Sequence, residues 1–190
     1  MADAFFDSEK FTGKTYNSTR LPAGIYDSCE FDNCNFSGSS FTGISLAETS
    51  FSNCDLSLVN LKGAVLREVK FISCRLTGLH FEDCSELLFS AVFHDCDLSL
   101  ASFYEMNLKE TFFSNCRLHE TDFTGADLRG KVFDNCDLQG AVFRSCNLEK
   151  ADFRSAGGYL IDPSENRLSG AKFSYAGIGG LLATFGIIIE

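Results

Sequence analysis

The chain has 190 residues, 45% hydrophobic and 22% charged, with a formal net charge of −10 and a pI near 4.7. That length suits one sizeable domain, and the acidic balance excludes the basic footprint that direct binding of nucleic-acid phosphates requires. At the N-terminus, residues 1–8 show no basic region followed by an apolar run, and the longest nearly apolar stretch, Ala176 to Ile189, is too short to span a bilayer, so neither a signal peptide nor a membrane segment is expected.

From Phe6 onward the chain keeps a strict period of five. Phe, Leu or Tyr recurs from Phe6 through Phe11, Tyr16 and Leu21 to Phe81, and then, two residues out of phase, from Leu88 through Phe93 to Phe153. The thirty slots hold fifteen Phe, thirteen Leu and two Tyr. Helices repeat a buried face near 3.6 residues and flat strands every 2, so this period fits neither and calls for a chain that turns a corner at every repeat. Two residues before most slots the side chain is small, as at Ala64, Ala101, Ala126 and Ala151, so these two positions point inward and the other three outward. Such self-similarity marks a solenoid whose units bury apolar surface by stacking.

Twenty-residue columns carry their own preferences, as a four-sided coil requires. One reads Phe11, Phe31, Phe51, Phe71, Phe93, Phe113, Phe133 and Phe153; another reads Leu46, Leu66, Leu88, Leu108, Leu128 and Leu148. Thirty slots make about 7.5 coils, and stacking them at the strand spacing of about 4.8 Å gives a rod roughly 36 Å long. Clean repeats are expected from residue 24, because Glu9 and Lys14 occupy small-residue slots and predict an irregular first coil that caps the N-terminal end.

Cysteine follows the same clock. Cys34, Cys54, Cys74, Cys96, Cys116 and Cys136 form one inward column, each two positions before a Phe or Leu slot. Parallel neighbours are poorly oriented for disulfides, and a single file of thiols does not converge as tetrahedral metal ligation demands. The nine cysteines therefore predict reduced core thiols, no metal site and a cytoplasmic, reducing location.

Three local features interrupt the pattern. Between Phe81 and Leu88 the slots fall seven apart, which predicts a bulge or small loop. Glu82, Asp83, Glu86 and Phe89 are its candidate recognition residues, with Phe89 on an outward position. Lys131 fills an inward small-residue slot, so its stem should lie along the wall with its charge reaching solvent or an Asp. After Phe153 the register ends, dividing the chain into a repeat domain, 1–155, and a C-terminal segment, 156–190, that either only caps the last coil or also dimerises. There a short helix is expected from an N-cap at Ser174, followed by a terminal strand over Phe185 to Ile189. This segment holds more apolar surface than one coil end needs. Tyr175, Ile178, Leu181, Leu182, Phe185 and Ile187 are therefore the candidate interface of a homodimer.

The repeats Ala126-Asp127-Leu128, Cys136-Asp137-Leu138 and Ala151-Asp152-Phe153 resemble the pentapeptide-repeat family over residues 6 to 155. The resemblance implies an all-β fold, a right-handed quadrilateral β-helix with four pentapeptides per coil. The tail, Ile161-Asp162-Pro163, Asn166-Arg167-Leu168, Ala171-Lys172-Phe173-Ser174 and Leu181-Leu182, is similar to that of the quinolone-resistance branch. That likeness implies a homodimer joined by its C-terminal helices, whose acidic surface imitates duplex DNA and engages DNA gyrase or topoisomerase IV.

Enzymatic chemistry finds little support in the residues. His80, His94 and His119 fall outward on different sides, so no Ser-His-Asp or Cys-His pairing is expected, and no catalytic residue, cofactor or small-molecule substrate is assigned. Duplex DNA of 36 Å carries about twenty-one charges, about twice this chain's surplus. Arg67, Lys109, Arg129 and Lys150 interrupt one side. A topoisomerase-binding DNA mimic and a scaffold for an unrelated cytosolic protein both remain open.

Overall fold

The computed structural model describes residues 4–17 and 21–187. One face of the rod is a four-stranded parallel sheet of β1 (Ala4–Asp7), β3 (Gly24–Asp27), β5 (Ser45–Ala47) and β7 (Val65–Arg67), in that order. The adjoining face is a seven-stranded parallel sheet. Its order is β2 (Lys10–Thr12), β4 (Glu30–Asp32), β6 (Ser50–Ser52), β8 (Val69–Ile72), β9 (Ala91–His94), β10 (Thr111–Ser114) and β11 (Phe133–Asp134). Single parallel bridges close the remaining faces, such as the ladder Asn35, Asp55, Arg75, Asp97, Arg117, Asp137. Partners lie twenty residues apart, as in Phe31↔Phe51 and Phe113↔Phe133. The architecture is a right-handed quadrilateral β-helix with a short C-terminal helix.

Corners form where a residue takes a positive φ, at glycines such as Gly125 (73°) and Gly140 (72°) and at Asn33, Asn53, Asn115 and Asn135 (49–54°). Asn and Gly tolerate this left-handed region best, which explains their place among the outward positions. Where an Asp or Asn follows the small inward residue, it has a second local task. Its carboxyl or amide oxygen accepts the backbone N–H two residues on, as from Ser57 to Asp55 (3.0 Å) and from Thr124 to Asp122 (2.8 Å). These Asx turns tighten the bend between faces.

Inside, an unbroken stack of nine rings runs from Phe11 to Phe173, with successive centroids 4.7–5.7 Å apart and planes nearly parallel. A second stack, Phe81, Phe103, Phe123 and Phe143, meets the first edge-on. Stacked contacts along the axis and T-shaped contacts across it are both favoured by the ring quadrupole. Each fully buried Phe contributes about 1.5–3 kcal/mol, an upper figure because the unfolded chain is already partly compact.

All nine cysteines are buried and free of disulfides. Seven of the thiols lie within donating distance of carbonyls at both ends of the corner, as Cys54 does of Phe31 O (3.5 Å) and Ser52 O (3.2 Å). Thr49 makes the same pair of bonds through its hydroxyl, to Tyr26 O (3.0 Å) and Ala47 O (2.9 Å), so the slot selects a small side chain with a weak donor.

Four expectations change. First, the inward residue after the slip is Phe89, not Leu88: Phe89 is buried and meets Phe81 edge-on at 6.2 Å, while Leu88 is 64% exposed at a φ of 64°. The loop turns at Leu88, which swings the next residue into the layer between Leu66 and Leu108. Second, the register does not end at Phe153. Bridges continue through Asn147↔Arg167 and Asp152↔Lys172, and Leu168 and Phe173 stay in phase. Asn166 stands in for a thiol there, its amide donating to Phe143 O (3.0 Å) and accepting Cys146 N–H (2.9 Å). Third, the described part of the first coil, 4–17, is regular. β1 and β3 pair in register, and Glu9 and Lys14 keep the usual backbone bonds while their side chains are exposed. Fourth, Phe185 closes a 3-10 turn over Ala183–Phe185 and Gly186 is left-handed, so no strand begins at Phe185; Ile188 and Ile189 lie outside the described residues.

The C-terminal helix, α1 (Gly179–Leu182), is a single turn. Ser174 acts one turn earlier, its hydroxyl accepting Gly177 N–H at 3.1 Å. The glycines that weaken this helix have a packing reason: a Cβ at Gly177 or Gly180 would collide with Tyr159, on which the segment lies. An Ile161 N–H bond to Gly180 O (3.0 Å) fastens it to the last coil.

Candidate functional site

The two-residue insertion between Cys84 and Ala91 changes the ladder spacing from twenty to twenty-two residues. Neighbouring partners are twenty-two residues apart there, Val69↔Ala91, and the four-stranded sheet stops at β7. Ser90 repairs the break: its hydroxyl accepts Glu68 N–H (2.7 Å), its carbonyl accepts Val69 N–H (3.2 Å) and its own N–H reaches Leu66 O (3.0 Å). Leu87 (74%) and Leu88 are left on the surface beside Phe112 (59%). Between Leu88 and Phe112 lies a groove of about 560 Å³ with Phe89 and Val92 among its lining and Arg67, Lys70, Glu68 and Glu110 also lining it.

Of the recognition residues expected here, Asp83 and Glu86 are exposed, and Phe89 is inside instead of outside. Glu82 sits in a 3-10 turn over Phe81–Asp83 with Oε1 3.0 Å from His80 Nδ1. The insertion brings Glu82, Asp83 and Glu86 to one side of the rod, with Leu87 and Leu88 taking the surface role assigned to Phe89.

One turn above the groove, Lys131 is buried in its inward slot. Its ammonium does not reach an Asp or solvent as expected. It donates to the carbonyls of Lys109 and Thr111 (2.8 Å for the latter) and lies 4.9 Å from the centroid of the Phe112 ring. Burial lowers its pKa below the usual lysine value, while Glu110 and Asp127 pull the other way. Carbonyl dipoles and a ring face thus replace the missing carboxylate.

The histidines also depart from expectation. His94 Nδ1 is 2.6 Å from Ser114 Oγ and His94 Nε2 is 3.2 Å from Asp95 Oδ2, so a Ser-His-Asp arrangement does form. Register explains it, since β10 lies directly over β9 and pairs Ser114 with His94. The arrangement is partly open to water, and the N–H of Asn115, next in the chain, already goes to Asp134 O (2.8 Å), leaving that amide unavailable to an oxyanion. It reads as a hydrogen-bonded strap between coils. His119 makes a similar strap to Asp137 at 2.6 Å, which holds the Asp137 carboxyl below its usual range.

Surface carboxylates are partly neutralised nearby. Arg129 and Arg154 form two-pronged bonds to Asp127 and Asp152, and the latter carboxyl falls to about 2 chiefly through its bond from Arg154. On the cap, Tyr175 (94%), Ile178, Phe185 and Ile187 are exposed; Leu182 is half-buried, and Leu181 packs partly on the core. Among the described residues no helix is long and apolar enough to cross a membrane.

The whole rod has counterparts among solved structures. One trypsin-treated form of QnrB1, described as a plasmid-mediated fluoroquinolone resistance protein, covers all of both chains at 20% identity with a TM-score of 0.74. A second trypsin-treated form covers 98% of this chain and 100% of its own at 21% identity, with a TM-score of 0.59. These likenesses concern the fold. No curated protein sequence matches the chain. The family described as pentapeptide repeat region matches residues 25–86 and 87–157, more than two thirds of the sequence. With its five-residue clock, four-sided coil and stacked Phe core, the chain belongs to the pentapeptide repeat family.

Proposed function

We propose that this protein is a non-enzymatic binding rod that engages a type II topoisomerase, DNA gyrase in the first instance, by imitating duplex DNA, and thereby alters quinolone susceptibility. The observation that carries the reading is the end-to-end match in shape to a fluoroquinolone resistance protein, on a chain with a surplus of ten negative charges. A basic groove that accepts DNA attracts a rod of similar charge sign, and such attraction steers association. The internal pairing of Asp127 and Asp152 with arginines thins the charge, so shape carries more of the recognition than charge density does. A cytoplasmic location follows from this partner and suits nine reduced thiols.

Purified protein added to gyrase is expected to change supercoiling, or the inhibition of supercoiling by a quinolone. No effect at high micromolar concentration contradicts the reading.

Homodimerisation through the cap belongs to the same proposal, supported by the exposure of Tyr175, Ile178, Phe185 and Ile187 on one short segment. A two-fold pairing buries these side chains and lengthens the rod. Ile178→Asp with Phe185→Asp is expected to halve the solution mass with little change in melting temperature; an unchanged mass counts against the interface.

A second reading, a scaffold for an unrelated protein, is favoured by the apolar surface of Leu87, Leu88 and Phe112. Retained partner binding by a rod with that surface made polar decides against it.

A further inference from the structure

The groove at the insertion has a property that DNA imitation does not use: an apolar interior with cations at its edge. Its volume of about 560 Å³ lies within the range of small-molecule sites, about 300–1,000 Å³. Phe89 is fixed by its contact with Phe81, and the loop leading to it is stitched by Ser90, so the interior is preformed. Phe112 lines both this groove and the neighbouring depression that holds Lys131, and so stands between the Lys131 ammonium and the groove.

The charges at the edge are not paired off. Among the described residues neither Arg67 nor Lys70 has a carboxylate within ion-pair distance, and Glu110 interacts with Lys131. In the lining Arg67 and Lys70 stand against Glu68 and Glu110, and Glu110 is shared with the Lys131 ammonium beyond Phe112, so the two cations of the groove face Glu68 most directly. A ligand that suits this place has a flat or branched apolar body and one anionic group.

We propose that the groove binds small aromatic or branched-aliphatic carboxylates, with the apolar body against Phe89, Val92 and Phe112 and the carboxylate directed to Arg67 and Lys70. The site is separate from the topoisomerase reading and stands or falls without it.

The test titrates 1-naphthoate into the full chain and follows backbone amide resonances. Saturable shifts centred on Ser90, Val92 and Phe112 are expected. Val92→Trp, which fills the groove from an outward strand position, should abolish them while the fold persists. Arg67→Ala with Lys70→Ala should weaken naphthoate about tenfold and leave binding of neutral 1-naphthylmethanol unchanged. Absence of saturable shifts at these residues, shifts centred on the cap, or preference for 1-naphthylmethylammonium overturns the proposal. So does binding of an apolar peptide in the groove without any binding of naphthoate, which assigns the groove to a protein partner.

Discussion

At the residue scale, the inward small slot is a chemical niche as well as a steric one. It accepts Ala, Cys, Thr, Asn166 and even Lys131, and several polar occupants, Thr49, Cys54, Asn166 and Lys131 among them, donate to carbonyls at the corner, whereas the buried hydroxyls of Ser39 and Thr111 do not. Such satisfaction matters because a buried carbonyl without a donor costs about 1–3 kcal/mol. Burial makes two of these thiols resist ionisation: it raises Cys84 above its ordinary value and raises Cys146 to about 11. In the unfolded chain these groups lose their protons near the usual thiol value, so the unfolded state binds fewer protons above that pH. The stability they contribute is complete below about pH 9 and is lost as pH rises toward 11, by about 1.4 kcal/mol per pH unit for each thiol. Chemical denaturation followed from neutral to alkaline pH should therefore show stability falling in that window, and a Cys84→Ala, Cys146→Ala double variant should fall less steeply. Equal slopes would remove the buried thiols from the account.

At the element scale, the insertion shows how a solenoid absorbs two extra residues without losing its core. Leu88 takes the left-handed turn and Phe89 takes the layer, an exchange of one position that the sequence does not betray, because both residues are apolar and either satisfies the slot. Phe89→Ala is expected to cost about 3–5 kcal/mol, as a large core ring replaced by a methyl does, whereas Leu88→Ala should stay within about 0.5 kcal/mol. Equilibrium unfolding in denaturant separates the two, and the reverse order would restore Leu88 to the core. The same comparison shows where legibility stops. Five-residue timing made the coil, its four faces and the thiol column readable, since each inward slot repeats the same demand. Leu168 and Phe173 kept that timing, but Gly158 and Pro163 stand in the two slots before them and concealed the last coil. Ser114 lies twenty residues beyond His94, so their contact was available from register alone; the groove was not, because it depends on how the inserted loop closes.

At the scale of the whole molecule, stacked coils give a straight object whose ends differ. The N-terminal coil presents partly buried Phe6, Phe11 and Tyr16, whereas the C-terminal coil is covered by a turn and a single helical turn resting on Tyr159. Nine rings span eight steps of about 4.8 Å, so the Phe stack alone measures roughly 38 Å, comparable to one turn of duplex DNA at about 34–36 Å. Many of the acidic residues that line it are fixed by turn chemistry, since Asx turns need Asp or Asn whatever the partner. An acidic rod is thus a by-product of the repeat, and under the proposed function a DNA-binding groove reads it. The direct measurement is competition for that groove: fluorescence anisotropy of a labelled duplex bound to gyrase, titrated with this protein at low and at physiological salt. Displacement of the duplex, weakening as salt rises, is the predicted result; a duplex that stays bound while the rod binds elsewhere, or a rod that does not bind at all, contradicts it.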